Sequence, residues 1–439
     1  MRRERALRPC TVVPLGEAWA GSSANVTAFR CEGLLSLGNT QLAAFYAQDG
    51  AVMLARRALP GTRVDLVRLT EGGADALPWD AHRSISLGVD ATGAIHLAYG
   101  AHASALRLLR GGAGLALDGF ADPEPVPTGA PSAATYPMFL RAGTSGSLMM
   151  LYREGLPDSG DLRLRRFDLA AGRWNEAAAP LLEGQIRGHA SGPYLNRPVI
   201  GRDGTLFGFV VWRLRLPDAA AGRVVNAGID LVAFRGDPTG AETWSGLVLP
   251  MPAGAAHLER VVAVPLGSDL MNQGGAALDP AGIPAAVTWW REPPDAPPQF
   301  RLVHRAGGLW RTSVASDFAA DFDLAGTGTL PLPHSRPHLL FAPDGRALVL
   351  FRSAELGGAL AVHILSPPDF GWPAGERVIL CAEDLGHYEP VVDAAAWSSR
   401  ARLSAFVQRC RQGQGDAPDG HADTAPCCIM EWEAAALLG

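Results

Sequence analysis

His82 and His102 bracket a pair of apolar-alternating runs, Ile85–Val89 and Ile95–Tyr99, joined by Asp90-Ala91-Thr92-Gly93. Alternation of period two on either side of such turn residues is the mark of a β-hairpin. In an antiparallel pair, the residue before the first strand and the residue after the second lie at the same end, so the two imidazoles face each other. A facing pair suits proton transfer or metal binding, with a coincidental rim pair as the third reading. His96 and His363 fall inside strand runs and are read as ordinary strand residues.

The elements that must position this pair are repeated along the chain. The hairpin signature recurs at Glu32–Tyr46, Tyr136–Arg153, Tyr194–Arg213, Met271–Arg291, His334–Arg352 and, in degenerate form, Tyr388–Gln408. A repeat of about 60 residues with several short strands and almost no helical periodicity predicts propeller blades rather than a helical solenoid. The expectation is an all-β, seven-bladed β-propeller of four-stranded antiparallel blades, a single domain over residues 1–439. Thr11–Leu15 and Cys428–Trp432 are expected to pair within one blade and close the ring, which removes the sheet edges. The Gly-, Asp- and Pro-rich stretch Gln412–Ala425 reads as a flexible surface loop.

Propeller geometry turns this repeat into a site. The first strand of each hairpin lines the channel and all run the same way, so equivalent positions form rings on one face. Before the first strands stand His82, Tyr136, Asn196, Asn272, His334 and Tyr388, and after the second strands stand His102, Arg153, Arg213, Arg291 and Arg352. Arginines mixed with histidines and a tyrosine fit an anionic ligand, because guanidinium forks take carboxylate or sulfate bidentately. Asn196, Arg213, Asn272, Arg291, His334, Arg352 and Tyr388 are the substrate-binding candidates. No lysine occurs among the 38 basic residues, so any anion site here must be built from arginine.

Composition narrows the alternatives. A hydrophobic fraction of 48% with 19% charged residues supports a packed core. Net charge is −6, with no basic run or basic-aromatic stripe, so nucleic acid is not an expected partner. No apolar stretch approaches the roughly 20 residues of a membrane helix. The charged start MRRERALRPC is not followed by an apolar segment, which predicts a cytoplasmic monomer, or a secreted or periplasmic one if the N-terminus is trimmed. The six cysteines show no C-x-x-C spacing and read as reduced thiols, although four of them near His387 and His421 leave a structural zinc as a minor reading.

Several motifs carry a resemblance. Trp19-Ala20-Gly21, the Asp80-x-His82 pair, the run V-D-x-x-G-x-I-H-L that leads to His102, and YP…G-x-L…YR from Tyr136 to Arg153 together resemble the BNR-repeat family of seven-bladed propellers. That family includes ulvan lyases and related lyases that cleave beside glucuronate in rhamnose-containing polysaccharides. The likeness runs from about residue 18 to residue 408. It implies β-elimination at C4 of a uronic acid within an anionic poly- or oligosaccharide, with His82, His102, Tyr136 and Arg153 as the catalytic residues. Arg153, helped by Arg213 or a histidine, would neutralise the uronate carboxylate. His102 and Tyr136 would exchange protons with C5 and O4, while His82 positions substrate or shares the transfer. Which of them is base and which acid is open at this stage. Ser22-Ser23-Ala24-Asn25 stands where the family often has a His-Pro pair, and Arg83 where an asparagine is common. No cofactor is required and no metal ligand is assigned, while a structural or substrate-bridging calcium or zinc stays open. The competing functions are a rhamnosidase-like glycoside hydrolase, which needs a carboxylate pair that the rings lack, and a non-catalytic carbohydrate-binding propeller.

Overall fold

The structure, a computed structural model, describes residues 3–121, 124–126, 133–142, 147–186, 188–215, 223–235, 240–418 and 420–439. Its strands form seven sheets, six of which keep the four-stranded antiparallel plan. The first blade is Leu34–Leu37, Thr40–Tyr46, Val52–Ala58 and Val64–Arg68; the second is Ser86–Val89, Ile95–Tyr99, Leu106–Arg110 and Glu124–Val126. The third is Ala134–Ala142, Ser147–Leu156, Ser159–Asp168 and Arg173–Glu176. After an eight-stranded sheet come the fourth blade, Gly275–Leu278, Pro284–Trp290, Gln299–Ala306 and Leu309–Val314, and the fifth, His338–Phe341, Ala347–Ser353, Ala359–Leu365 and Glu376–Cys381. Arg3–Ala6 adds a parallel strand to the outer edge of the fifth blade.

The expectation of seven equivalent blades is corrected by the eight-stranded sheet between residues 185 and 262. Its inner strand is broken into His189–Leu195 and Val199–Ile200 at Arg197-Pro198, where proline removes a ladder donor. Its long strand Val225–Arg235 takes two partners, Glu259–Val262 along one stretch and Gly240–Glu242 along the next.

Apolar alternation explains how the sheets hold one another. One apolar cluster joins Leu42 and Leu54 of the first blade to Leu87 and Leu97 of the second, and another joins Ala98 to Phe139 and Tyr152 of the third. Further clusters lie between each later pair of sheets. The largest joins the fifth and sixth blades to Leu34 and Phe45 of the first. Burial therefore sits between consecutive sheets, and the sequence of contacts is a ring.

The sixth blade contains both ends of the chain. Val391–Val392, Arg402–Gln408 and Thr424–Glu433 are completed by Thr11–Trp19, paired from Thr11 opposite Glu431 to Trp19 opposite Thr424. The degenerate hairpin at Tyr388–Gln408 is degenerate for a local reason. Asp393 caps a helix, Ala394–Arg400, by accepting from the Ala396 N–H at 2.9 Å, and this helix replaces the tight turn.

The first strands do line the axis. A cavity of about 450 Å³ is walled by Leu35, Leu87, Phe139, Val199, Ala277 and Leu339, one from each inner strand in turn, together with Ala394. It occupies one mouth of the channel. The Glu32–Arg197 ion pair and the buried His338 border it, and the residues that precede the inner strands lie toward the other mouth.

Candidate active site

His82 sits in a one-turn 3-10 helix, Ala81–Arg83, whose cap is Asp80. The Asp80 Oδ1 accepts from both the His82 backbone N–H and the His82 Nδ1, each at 2.9 Å. The Asp80 Oδ2 accepts from His102 Nδ1 at 2.5 Å. One buried carboxylate thus holds both imidazoles, one oxygen to each. The rings stack at 4.1 Å and 15°, as expected from the hairpin Ser86–Val89/Ile95–Tyr99, whose Asp90–Gly93 turn places Gly93 at φ +79°.

Phe29 covers the other face of His82 at 5.2 Å and touches Tyr136 at 5.1 Å. Tyr136 lies 5.6 Å from His82 between ring centroids. It is raised out of the ladder by an irregularity between Thr135 and Met138, and its φ is +57°, a left-handed conformation unusual for a bulky residue. Two hydrogen bonds hold it there. Thr135 Oγ1 accepts from the N–H of Ala103, next to His102, at 2.9 Å, and the Pro137 carbonyl accepts from Ser86 Oγ at 2.6 Å.

Carboxylates reach the site that the ring argument did not provide. Asp416 Oδ1 lies 3.3 Å from His82 Nδ1, and the Thr329 hydroxyl lies 3.2 Å from the same nitrogen. The stretch expected to be a loose loop is instead tied down around Asp416. Gln412 Oε1 accepts from Ser23 N and Oγ at 3.2 and 2.9 Å, and the Gly415 N–H donates to the Thr329 carbonyl at 2.9 Å.

These contacts set the charges. Burial opposes the ionisation of Asp80, but hydrogen bonds from His102 and His82 outweigh it and hold the carboxyl well below the ordinary range. Burial likewise disfavours charge on His82, yet Asp416 and Asp80 together raise its pKa above the usual histidine value. For Tyr136 burial dominates and pushes the phenol up, against the opposing fields of Arg213, Arg153 and Arg336. The sign for stability follows from linkage. The His82 contribution is fully present below its unfolded pKa near 6.5 and is lost as pH rises through its raised folded value. Thermal unfolding followed from pH 6 upward is expected to show a declining midpoint that a His82→Gln variant does not show. An identical slope in the variant would remove His82 as its source.

The four donor atoms of Asp80, His82, His102 and Asp416 lie within 4.8 Å of one another, a spacing shared by metal centres and proton networks. Each Asp80 oxygen lies within hydrogen-bonding distance of one imidazole Nδ1, a pairing that a hydrogen-bonded network accounts for. Cys381, Cys410 and Cys427 are buried and Cys428 partly so, and burial pushes the Cys410 thiol up to about 12.

The arginines divide. Arg153 donates NH1 to the Gly155 carbonyl at 3.2 Å and NH2 to that of Leu156, and its guanidinium lies 4.9 Å over the Tyr194 ring. Its two terminal nitrogens are therefore engaged by backbone, and Nε is buried without a partner. The fork is thus tied to the strand end, where the resemblance implies a contact to the uronate carboxylate. Arg213 covers Tyr194 at 4.6 Å, reaches Asn226 and Asn272, and lines a groove of about 280 Å³ with Arg336 and Asn272. Arg153→Lys is expected to lower thermal stability more than KM, because two carbonyls and an aromatic face lose their partner. Arg213→Lys should instead raise KM for an anionic substrate by about tenfold. Equal effects of the two on KM would put Arg153 back in the binding role.

Asn196 is fully buried, with Oδ1 accepting from the Gly274 N–H at 3.2 Å and Nδ2 unpartnered. The remaining ring positions are drawn into packing. Arg291 pairs with Asp269 at 2.7 Å and Asp321 at 2.9 Å. His334 stacks on Phe318 at 3.6 Å, with burial pushing its pKa down to about 3. Arg352 donates to the carbonyls of Leu332, Pro333 and Tyr388, and the Tyr388 ring is itself buried. As the structure places them, these four have no open path to a ligand. For Arg291, His334 and Arg352 the physical reason is the connection between the fourth and fifth blades, through Phe322, Phe318 and Leu332, whereas Tyr388 is packed into the core between the fifth, sixth and first blades. Among the described residues, Asp80, Tyr194, Thr329, Arg336 and Asp416 join the site without having been singled out for it from sequence. Only Asp80 had a signal there, its spacing of two from His82.

Comparison with known proteins places this geometry. The polysaccharide lyase Uly1 superposes with a TM-score of 0.66 at 15% identity, over 97% of this chain and 99% of its own. An ulvan lyase of polysaccharide lyase family PL25 gives 0.64 at 13% identity, over 96% of each chain. A structure of that lyase type bound to -[GlcA(1-4)Rha3S]- gives 0.64 at 12% identity, again over 96% of each. At these identities the likeness establishes a shared propeller fold. No curated protein matches the chain. No helix among the described residues is long and apolar enough to cross a membrane. The model of the BNR repeat-containing family matches residues 40–317, well over half of the sequence, and the chain accordingly belongs to that family.

Proposed function

We propose that the protein is a lyase that cleaves an anionic poly- or oligosaccharide at C4 of a glucuronate-type uronic acid by β-elimination. The observation that carries this reading is the single carboxylate of Asp80 bridging His82 and His102 beside the buried Tyr136. The Asp80 carboxylate on the His102 Nδ1 keeps the proton there and leaves the His102 Nε2 as the accepting atom. His102 is the more exposed of the two, its side chain 28% accessible against 11% for His82, which makes it the base that removes the C5 proton. Tyr136 keeps its proton across the neutral range and is the acid toward the departing O4. Arg213, which lines the adjoining groove and reaches the neutral Asn226 and Asn272, neutralises the carboxylate whose charge would otherwise keep C5 from ionising. The polysaccharide lyases that share the fold support the same reaction class.

Elimination leaves a C4–C5 double bond conjugated to the carboxyl, and hydrolysis does not. Ultraviolet absorbance during incubation with glucuronate-rhamnose oligosaccharides is expected to rise in step with new chain ends. New reducing ends without absorbance would instead establish a hydrolase, and binding without either would establish a lectin. The hydrolase reading meets Asp80 and Asp416 as its carboxylate pair. Both approach the same nitrogen of His82 rather than opposite sides of a sugar, which is not the flanking arrangement that hydrolysis requires.

A further inference from the structure

We propose that Asp416 is a positioning residue of the active site: with Asp80 it forms a two-carboxylate brace that balances two imidazolium charges when His102 accepts the substrate proton. This deepens the lyase reading and rests on it for the identity of the proton donor.

The geometry supplies the charge count. At rest the Nδ1–H of His82 is shared among Asp80 at 2.9 Å, Thr329 at 3.2 Å and Asp416 at 3.3 Å, and Asp80 also holds His102 at 2.5 Å. The two rings stack at 4.1 Å. With His82 protonated, protonating His102 against Asp80 as the sole anion would place two stacked cations on one carboxylate, a like-charge arrangement that opposes the step. Asp416 provides the second negative charge, so the proton taken from C5 creates no net excess. Around these lie Arg83 from the turn of His82, 3.8 Å from Asp80, the Tyr136 phenol from the third blade, and Phe29, with Arg336 over that ring at 5.5 Å and Glu389 already paired with that arginine at 3.0 Å. None of these supplies a free anion to His82. The raised pKa of His82 agrees with this assignment, burial being outweighed by Asp416 and Asp80.

A second observation shows that the approach of Asp416 is built into the fold. Gly328 has φ +70°, and a Cβ added there would meet the Asp416 carboxylate at 2.3 Å. The Thr329 N–H, next in the chain, donates to Asp416 Oδ1 at 2.8 Å. A bare glycine and a backbone donor thus form a seat for this one carboxylate. Gly328→Ala would displace Asp416 while leaving its charge on the chain.

The test uses the full-length protein in three forms, wild type, Asp416→Asn and Gly328→Ala, with two readouts. Histidine ring resonances titrated by NMR are expected to show His82 losing its proton at lower pH in both variants than in wild type. The kcat on a glucuronate oligosaccharide should fall by about tenfold at neutral pH, with KM changed less than about threefold. An unchanged His82 titration in a folded Asp416→Asn would overturn the brace, as would a stoichiometric divalent metal retained by wild type and lost from the variant. If His82 shifts as expected but no form of the protein produces unsaturated uronate, the brace stands and the lyase reading falls.

Discussion

Tyr136→Phe is expected to remain folded and to lose about a hundredfold to ten-thousandfold in kcat, the range for removing a positioned general acid. Phenylalanine keeps the ring that packs with Phe29, Ala81 and Tyr194, so the cluster around it survives. What disappears is one hydroxyl, held in its protonated form by burial against the fields of three arginines. Removing the acid leaves the C4 oxygen to depart as an alkoxide, a cost that falls on the transition state and therefore on kcat rather than KM. His102→Ala is expected to be comparably inactive. Steady-state kinetics on one substrate decide the assignment. Full activity in His102→Ala with none in Tyr136→Phe would mean that the tyrosine carries both proton transfers.

Arg57→Ala is expected to destabilise the fold by about 3–5 kcal/mol, the penalty for stripping one partner from a buried ion pair. Arg57 belongs to the first blade and Glu431 to the sixth; both are buried, and they are joined through Arg57 NH2. Arg57 Nε also donates to Gln41 Oε1 at 2.8 Å, and Gln41 Nε2 reaches Asp393 at 2.7 Å, so the seam between these blades is a connected polar network. Urea unfolding of the two proteins at one pH measures the difference. A loss below about 1 kcal/mol would show that Glu431 is rehydrated without cost and that the pair is not part of the closure.

The parts of the site legible from sequence are those fixed by local geometry. Antiparallel pairing places residue 82 opposite residue 102 wherever the hairpin sits, and the turn Asp90–Gly93 announces that hairpin within a dozen residues. Ring equivalence likewise puts Tyr136, Arg153 and Arg213 on the same face, because each ends or begins a strand whose period is visible. It says nothing about what covers a ring position. His334, Arg352 and Arg291 obey the same spacing as the others, yet the segment carrying Phe318, Phe322 and Leu332 engages them, and Tyr388 is taken up by the core of the closing blades. Asp416 was illegible for the opposite reason. Its partner His82 is hundreds of residues earlier, and glycine, aspartate and proline around it have the composition of any surface loop. The blade count failed where the repeat itself is distorted, at the break before Pro198 and the forked strand Val225–Arg235.

The placement of Asp416, between the second and third strands of the sixth blade, also orders events in time. A chain leaving the ribosome has made His82, His102 and Tyr136 long before it makes residue 416, and the strand Thr11–Trp19 must wait for Thr424–Glu433 before it can pair. Until then the first blade has an unlatched seam and His82 lacks the acidic partner that arrives from residue 416. Nascent and C-terminally interrupted chains therefore contain the reactive residues without the finished constellation. Completion of the catalytic unit and completion of the ring become a single late event of synthesis.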